Sequence, residues 1–364
     1  MSSAHGGTLR SWRNWAPPIA ALIMVAMEQA HVLRPGETWV AAVVCLLLLG
    51  SVFATVHHAD VLGHKLGEPF GSILLALAVT VIEASLIITT MLTSDGHGNT
   101  LVRDTVFAAI MIVLNGIVGL CLLIGSLRFR EQAFRVEGTA SALSVLATLA
   151  VLTLVLPNYT VTKFGPQYSP TQLLFISVLS LLLYGVFVFV QSVRHRDYFV
   201  PKEDGEAAEA APSARETAWS AGFLFVSLCA VVLLAETLTV PVERSILHAG
   251  LPPSFLGVVI AALVLMPESG TALKAAYENR VQTSLNLAMG SALATIGLTV
   301  SVVGALSLYL GQELTLGLDA EGTALLLLTL FVSTLTLGTG RATILQGAVH
   351  LVIFGAFLLL AAVP

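Results

Sequence analysis

Glu83 and Glu268 each stand inside a long apolar run, ILLALAVTVIEASLI and VVIAALVLMPESGTAL. A carboxylate is among the costliest side chains to place in hydrocarbon, so an acid there marks an ion or proton path. Two such acids form a neutral set when they hold two protons, and equally when they hold one Ca2+. Left ionised and empty they carry two negative charges in a low dielectric. Loaded forms can therefore cross between inward- and outward-facing states while the bare form is penalised, which is a physical basis for obligatory exchange. The pair titrates as a unit, so no single proton affinity belongs to either acid.

Ca2+ takes six to eight oxygens, carboxylates supplemented by carbonyls and hydroxyls. Candidate supporting oxygens on the same and following helices are Thr80, Ser85, Asn115, Ser269, Thr271, Asn286 and Ser291. Thr80 is three residues before Glu83 and shares its helix face. Pro267 has no amide hydrogen, so the carbonyl of Leu263 loses its helical partner, and the helix is expected to loosen just before Glu268. Helix packing is the simpler reading for any one of the Ser, Thr and Asn residues. Metal ligation is assigned to Glu83 and Glu268 alone. Glu236, near the outer end of its run, is a candidate for the outer access path. His57, His58 and His64, with Asp60, are expected in a cytoplasmic loop, where their titration range suits a pH sensor; ordinary loop histidines are the simpler reading. Glu28, with Gln29 and His31 after it, is given a structural or interfacial role.

These residues must be carried by membrane helices. Of 364 residues 56% are hydrophobic and 11% charged, with mean hydropathy +0.89, outside the range of a soluble domain. The expectation is an all-α polytopic membrane protein with about eleven transmembrane helices, near 17–33, 39–56, 71–93, 104–126, 139–156, 172–193, 218–240, 255–273, 282–308, 322–337 and 344–363. The runs are too long for barrel strands. Arg10 and Arg13 before the first run resemble a signal-peptide start, yet Glu28 and the missing small-residue cleavage pattern favour a retained first helix. Cys45, Cys121 and Cys229 fall within spans, so no disulfide or zinc framework is drawn from them. With eleven spans and a cytoplasmic N-terminus, thirteen basic residues fall inside and only Arg34, Arg103, Lys163 and Arg244 outside, as the positive-inside rule requires. The C-terminus is then outside.

The least apolar stretch, RHRDYFVPKEDGEAAEAAPSARE, reads as a flexible cytoplasmic acidic linker over 194–217. It separates a first five-helix repeat, 39–193, from a second, 218–364, with residues 1–38 forming an extra N-terminal segment and helix. Five spans per half insert the second copy upside down, the inverted arrangement of many secondary transporters. GHKLGEPFGSILLALAVTVIEASL and ILHAGLPPSFLGVVIAALVLMPESG each lead from a Gly/Pro turn to an acid. RDTVFAAIMIVLNGIVGLCLLIG parallels NRVQTSLNLAMGSALATIGLTV, which sets Asn115 opposite Ser291.

At these residues the chain resembles the cation/calcium exchanger superfamily, in particular its ChaA-type calcium/proton antiporters. The resemblance rests on GEPFGSILLALAVTVIEASLI, RDTVFAAIMIVLNGIVGLCLLIGSLRFREQAFRVEG and LVLMPESGTALKAAYENRVQTSLNLAMGSALATIGLTV. It implies two alpha repeats, about 68–126 and 252–304, with Glu83 and Glu268 as ion-binding and proton-carrying acids and Asn115 and Ser291 as polar ligands. Relatives elsewhere in the superfamily often carry a Gly-Asn pair shortly before the acid, where this chain reads VTVIE and LMPE. That departure argues against the multi-site coordination of sodium/calcium exchangers and for protons as the driving ion. The expected function is Ca2+/H+ antiport at a bacterial inner membrane, with Na+/H+ or K+/H+ antiport as the alternative. No cofactor is expected. The partners are membrane lipids and transported cations, not nucleic acid, and a homo-oligomer is compatible with the sequence. An intramembrane enzyme is disfavoured, because no nucleophile–base pairing, zinc helix or nucleotide loop is present.

Overall fold

A computed structural model describes residues 12–30, 38–66, 70–93, 98–199 and 212–364. Among the described residues the regular structure is helical, mostly α with short π and 3-10 turns, apart from one two-stranded ladder. Each of the eleven expected spans overlaps a helix, the first over 17–29, with its residues 31–33 outside the described ones. Nine stretches among the described residues are long and apolar enough to cross a membrane, and Asn14–Met27 and Ala76–Thr89 are shorter apolar segments of the same kind. The chain divides into two compact units that interleave the sequence halves: residues 1–95 with 206–249, and residues 96–205 with 250–364.

The first unit holds α1 (Trp12–Gln29), α2 (Thr38–Leu66), α3 (Phe70–Thr93) and α8 (Ala214–His248). Gly50 of α2 lets α1 come close, since a Cβ there would sit 2.6 Å from Cβ of Pro17. Ala59, Ala78 and Leu224 join α2, α3 and α8 in an apolar cluster flanked by Leu62, Leu74 and Leu228. α8 starts at a capping box in which Ser213 and Glu216 satisfy each other's amides. Two boundaries differ from expectation. α2 runs ten residues past 56, so His57, His58, Asp60 and His64 are helical rather than in a loop: their polarity ends the apolar run without ending the helix. α8 likewise continues through Pro241 to His248.

The second unit holds α4 (Gly98–Met111) and α5 (Val118–Phe129), joined into one rod by a π-helical turn at Ile112–Ile117. α6 (Val136–Ala150), α7 (Pro170–Phe189) and α9 (Phe255–Tyr277) follow, the last staying helical across Pro267. α10 (Val281–Ala294) and α11 (Val300–Leu310) are joined by a second π turn, Thr295–Thr299, and α12 (Ala320–Leu337) and α13 (Ile344–Ala362) complete the unit. Between α9 and α10 the chain reverses over three residues, with Asn279 in the left-handed region at φ 65, which asparagine tolerates better than most residues.

Apolar helices gain little by packing in lipid unless their backbones approach closely, and glycine permits this. A Cβ at Gly347 of α13 would lie 2.6 Å from the backbone N of Leu123 and 2.9 Å from the Gly119 carbonyl of α5. One at Gly257 of α9 would lie 2.7 Å from the backbone of Asp104 and Thr105, and one at Gly297 would lie 2.7 Å from Tyr184 of α7.

Polar contacts gather at the two ends of this unit. At one end β1 (Gln132–Ala133) pairs antiparallel with β2 (Arg341–Ala342), Gln132 opposite Ala342. Nearby, the Arg135 amide donates to Gln282 at 2.7 Å, the Arg135 guanidinium reaches the Asp197 carbonyl, and Arg128 lies over Tyr277 at 4.1 Å. At the other end Asn158 donates to the Leu318 carbonyl at 2.6 Å, Lys163 pairs with Glu313 at 2.8 Å, and Gln167 donates to Thr315 at 3.1 Å. Burial of Tyr168 beside them pushes its phenol up to about 12.

Gly347→Ala should destabilise the protein by about 1–3 kcal/mol through backbone overpacking against α5. Gly355→Ala, where an added Cβ meets nothing within 4 Å, should not. Thermal unfolding of the two variants in detergent measures the difference.

Candidate functional site

Glu83 lies in α3 of the first unit and Glu268 in α9 of the second. Glu83 is 2% exposed, beside Ile82, Ala84 and Ile87, all buried, whereas Leu77 and Val81 on the same helix are exposed. This acid therefore turns away from the open side of its helix. Thr80, one turn earlier, is also buried and donates its hydroxyl proton to the Ala76 carbonyl at 2.8 Å; Ser85 donates to Ile82 at 2.8 Å. A hydroxyl bonded back to its own helix keeps its oxygen lone pairs available, the orientation a cation ligand requires.

Glu268 is half-buried on α9. Ser269 repeats the pattern of Thr80 by donating to the Leu265 carbonyl at 2.5 Å, and Thr271 donates to the Pro267 carbonyl at 3.1 Å. The loosened turn expected before Glu268 is absent. Pro267 is accommodated in a continuous α-helix, because losing a single amide donor leaves the surrounding turns bonded. Leu263, whose carbonyl faces the proline nitrogen, is buried.

The polar residues on the second helix of each repeat behave differently. Ser291 of α10 has a buried hydroxyl bonded to no protein group among the described residues, and so does Thr295 four residues on, at the start of the π turn. Spaced by four, they share one helix face. Asn115, in the other π turn, is fully buried and committed on both sides of its amide. Its Nδ2 donates to Thr329 Oγ1 at 2.9 Å and its Oδ1 meets His350 Nδ1 at 3.0 Å. Asn286 is committed too: it donates to the Phe199 carbonyl at 2.5 Å and accepts from Gln282 at 3.0 Å, tying the chain after α7 to α10.

The helical histidines divide by burial. His58 is 4% exposed; its Nε2 meets the Asn14 carbonyl at 3.1 Å and its Nδ1 meets Ser220 Oγ at 3.3 Å, while its ring stacks on Phe223. It fastens α2 to α1 and α8. His64 is exposed, 3.6 Å from Asp60, and His57 stands edge-on to His58. The side chains of Glu28, Gln29 and Glu236, and His31 as a whole, lie outside the described residues, as does linker segment 200–211. Among the described residues no cluster of three metal-ligating side chains is preformed. Sequence reasoning missed His350, buried in α13, whose only signal was a lone histidine in an apolar run. It also missed the carboxyls of Asp104, Asp319 and Glu321 lining one crevice at an end of the second unit.

The sequence that builds these helices matches a known family. The profile of the sodium/calcium exchanger protein family fits residues 37–193 and 219–363. The chain belongs to that family. Its members are transporters rather than enzymes, and this exchanger is a multi-pass membrane protein. Over 352 residues, 96% of each chain, it is 49% identical to a protein of Sinorhizobium fredii described as putative ionic transporter y4hA. Over 347 residues, 94% of each chain, it is 35% identical to the sodium-potassium/proton antiporter ChaA of Escherichia coli. Its fold is similar to that of native YfkE, with a TM-score of 0.73 at 15% identity over 96% of this chain and 99% of that one.

Asn286→Ala in this exchanger removes two hydrogen bonds and should lower stability by about 1–3 kcal/mol, whereas Ser291→Ala removes a hydroxyl with no protein partner and should leave the unfolding temperature unchanged. Thermal melts of the two variants side by side check the contrast.

Proposed function

We propose that this exchanger is a proton-coupled cation antiporter that moves Ca2+ out of the cytoplasm as protons enter. The observation that carries the reading is an acid on the corresponding helix of each repeat, Glu83 turned away from the open side of its helix and Glu268 half-buried. Charge arithmetic favours a divalent cargo, since one Ca2+ replaces two protons without changing the charge carried through the membrane. Glu83 and Glu268 are the ion-binding and proton-carrying residues. Thr80, Ser85, Ser269 and Ser291 supply oxygens, their neighbourhoods leaving those oxygens uncommitted, and Thr295 joins them. The Leu263 carbonyl, opposite a residue without an amide hydrogen, is a further oxygen. Asn115 and Asn286 act as braces. Glu236 serves the outer access path, and His57, His58 and His64 adjust the cytoplasmic end of the first unit.

A second reading has its own support. The Escherichia coli relative is named as a sodium-potassium/proton antiporter, and on the same scaffold one carboxylate would take Na+ or K+ while the other keeps its proton.

In the proposed orientation the N-terminus is cytoplasmic and the C-terminus outside, in a bacterial inner membrane. Arg128, Arg130, Arg135, Arg194, Arg196, Lys274, Arg280 and Arg341 lie toward the end of the second unit that bears the β ladder, and Arg103 and Lys163 toward the other, which supports a cytoplasmic ladder. The domain limits 1–38, 39–193, 194–217 and 218–364 belong to the same proposal.

Reconstituted into liposomes under an imposed pH gradient, the wild type should accumulate Ca2+ with counterflow of protons. Glu83→Gln and Glu268→Gln should each reduce coupled flux by at least about a hundredfold, as expected for a group whose charge change is part of the cycle, with melting curves retained. Na+ or K+ flux without Ca2+ flux would favour the second reading. Full Ca2+ flux in both glutamine variants would overturn the assignment of the acids.

A further inference from the structure

His350 takes no part in the proposed ion cycle, yet it is a titratable side chain with no exposure, in the middle of α13. Its ring is wedged where two helices nearly touch: a Cβ at Gly119 of α5 would come within 3.0 Å of its own Cβ. Around it runs a chain of polar contacts, all between buried residues of the second unit. Thr336 Oγ1 lies 3.2 Å from His350 Nε2, and His350 Nδ1 lies 3.0 Å from Asn115 Oδ1. Asn115 Nδ2 is 2.9 Å from Thr329 Oγ1, which is 3.4 Å from Met111 Sδ.

The roles in this chain follow from what each atom can do. Met111 sulfur only accepts, so the Thr329 hydroxyl donates to it and accepts from Asn115 Nδ2. That leaves Asn115 Oδ1 toward the imidazole, and an amide oxygen only accepts, so His350 carries its proton on Nδ1. In a neutral ring Nε2 then accepts from Thr336. Every donor has an acceptor, and among the described residues no carboxylate pairs with the ring. Asn115 sits in the π turn of the α4–α5 rod, where the regular α-helical ladder is interrupted, a bulge of the kind that is frequent at functional sites. The network fastens that turn to α12 through Thr329 and to α13 through His350.

We propose that His350, neutral and protonated on Nδ1, is a positioning residue for cation exchange: through Asn115 it sets the shape of the π turn and so of the rod that forms the second helix of the first repeat. This rests on the exchange reading above. The residue holds a fixed proton as a donor and does not hand it on during the cycle.

Asparagine presents a side-chain N–H close to where Nδ1 stands in histidine, whereas glutamine reaches toward the position of Nε2. His350→Asn should therefore keep a half-saturating cation concentration near the wild-type value in proteoliposomes. His350→Gln, His350→Ala and Asn115→Ala should each raise it on the order of tenfold, the effect of one buried hydrogen bond lost. Asn115→Ala combined with His350→Ala should do no more than either alone. The proton-to-cation ratio should be unchanged in His350→Asn. Nitrogen NMR of histidine-labelled wild type should show the Nδ1–H tautomer from pH 6 to 8.5, a readout independent of transport. The proposal is overturned by an Nε2–H or titrating ring, by equal affinity in the Asn, Gln and Ala variants, or by loss of proton coupling in His350→Asn. Absence of exchange in the wild type, with the Nδ1–H tautomer present, would instead refute the exchange reading.

Discussion

An ionised carboxyl group in the hydrocarbon layer is tolerated only when something neutralises it, and much of this structure can be read as a consequence of that constraint. Glu83 avoids the open side of α3, and the hydroxyls beside the two acids, Thr80, Ser85 and Ser269, give their protons to their own helix carbonyls. Their oxygens keep lone pairs clear of their own protons, as the proposed cation-binding role requires. In the proposed cycle, a set of acids that is neutral with protons or with metal, and charged with neither, needs no separate device to enforce exchange.

The helices of the second unit solve a different problem. Apolar helices in lipid lack the hydrophobic drive that assembles a soluble core, so they rely on close backbone approach and on a few buried polar networks. The contacts of Gly119 with Gly347, and of Gly257 with Asp104 and Thr105, supply the first. The chain from Thr336 through His350 and Asn115 to Thr329 supplies the second. The second-helix rod of each repeat is interrupted by a π turn, yet the two turns are treated unequally. Asn115 is committed to the scaffold, whereas Ser291 and Thr295 keep buried hydroxyls without a protein partner. In the proposed reading one copy of the repeat gives support at this place and the other gives oxygens to the cargo.

The helices were legible in the sequence because membrane spans announce themselves by length and hydropathy, and each expected span overlaps a helix. Boundaries failed where polarity and helicity part company. HHADVLGHKL ends an apolar run but not α2, and VPVERSILH does the same for α8. Pro267 misled in the opposite sense, since a missing amide hydrogen was expected to open α9 and did not. The acids were singled out because a carboxylate is costly at that depth. Asn115 was singled out as a cation ligand, not as a brace, and its partner was not legible: His350 is 235 residues away, and no local pattern links a lone histidine to a lone asparagine across two helices.

The charge-neutralisation claim can be tested without moving an ion across a membrane. Calorimetric titration of the purified protein with Ca2+, repeated in buffers of different ionisation enthalpy, counts the protons released for each cation bound. With both acids protonated before binding, the account predicts release of close to two protons per Ca2+ in the wild type and about one in either single glutamine variant. Tight Ca2+ binding with no proton release under those conditions would contradict it.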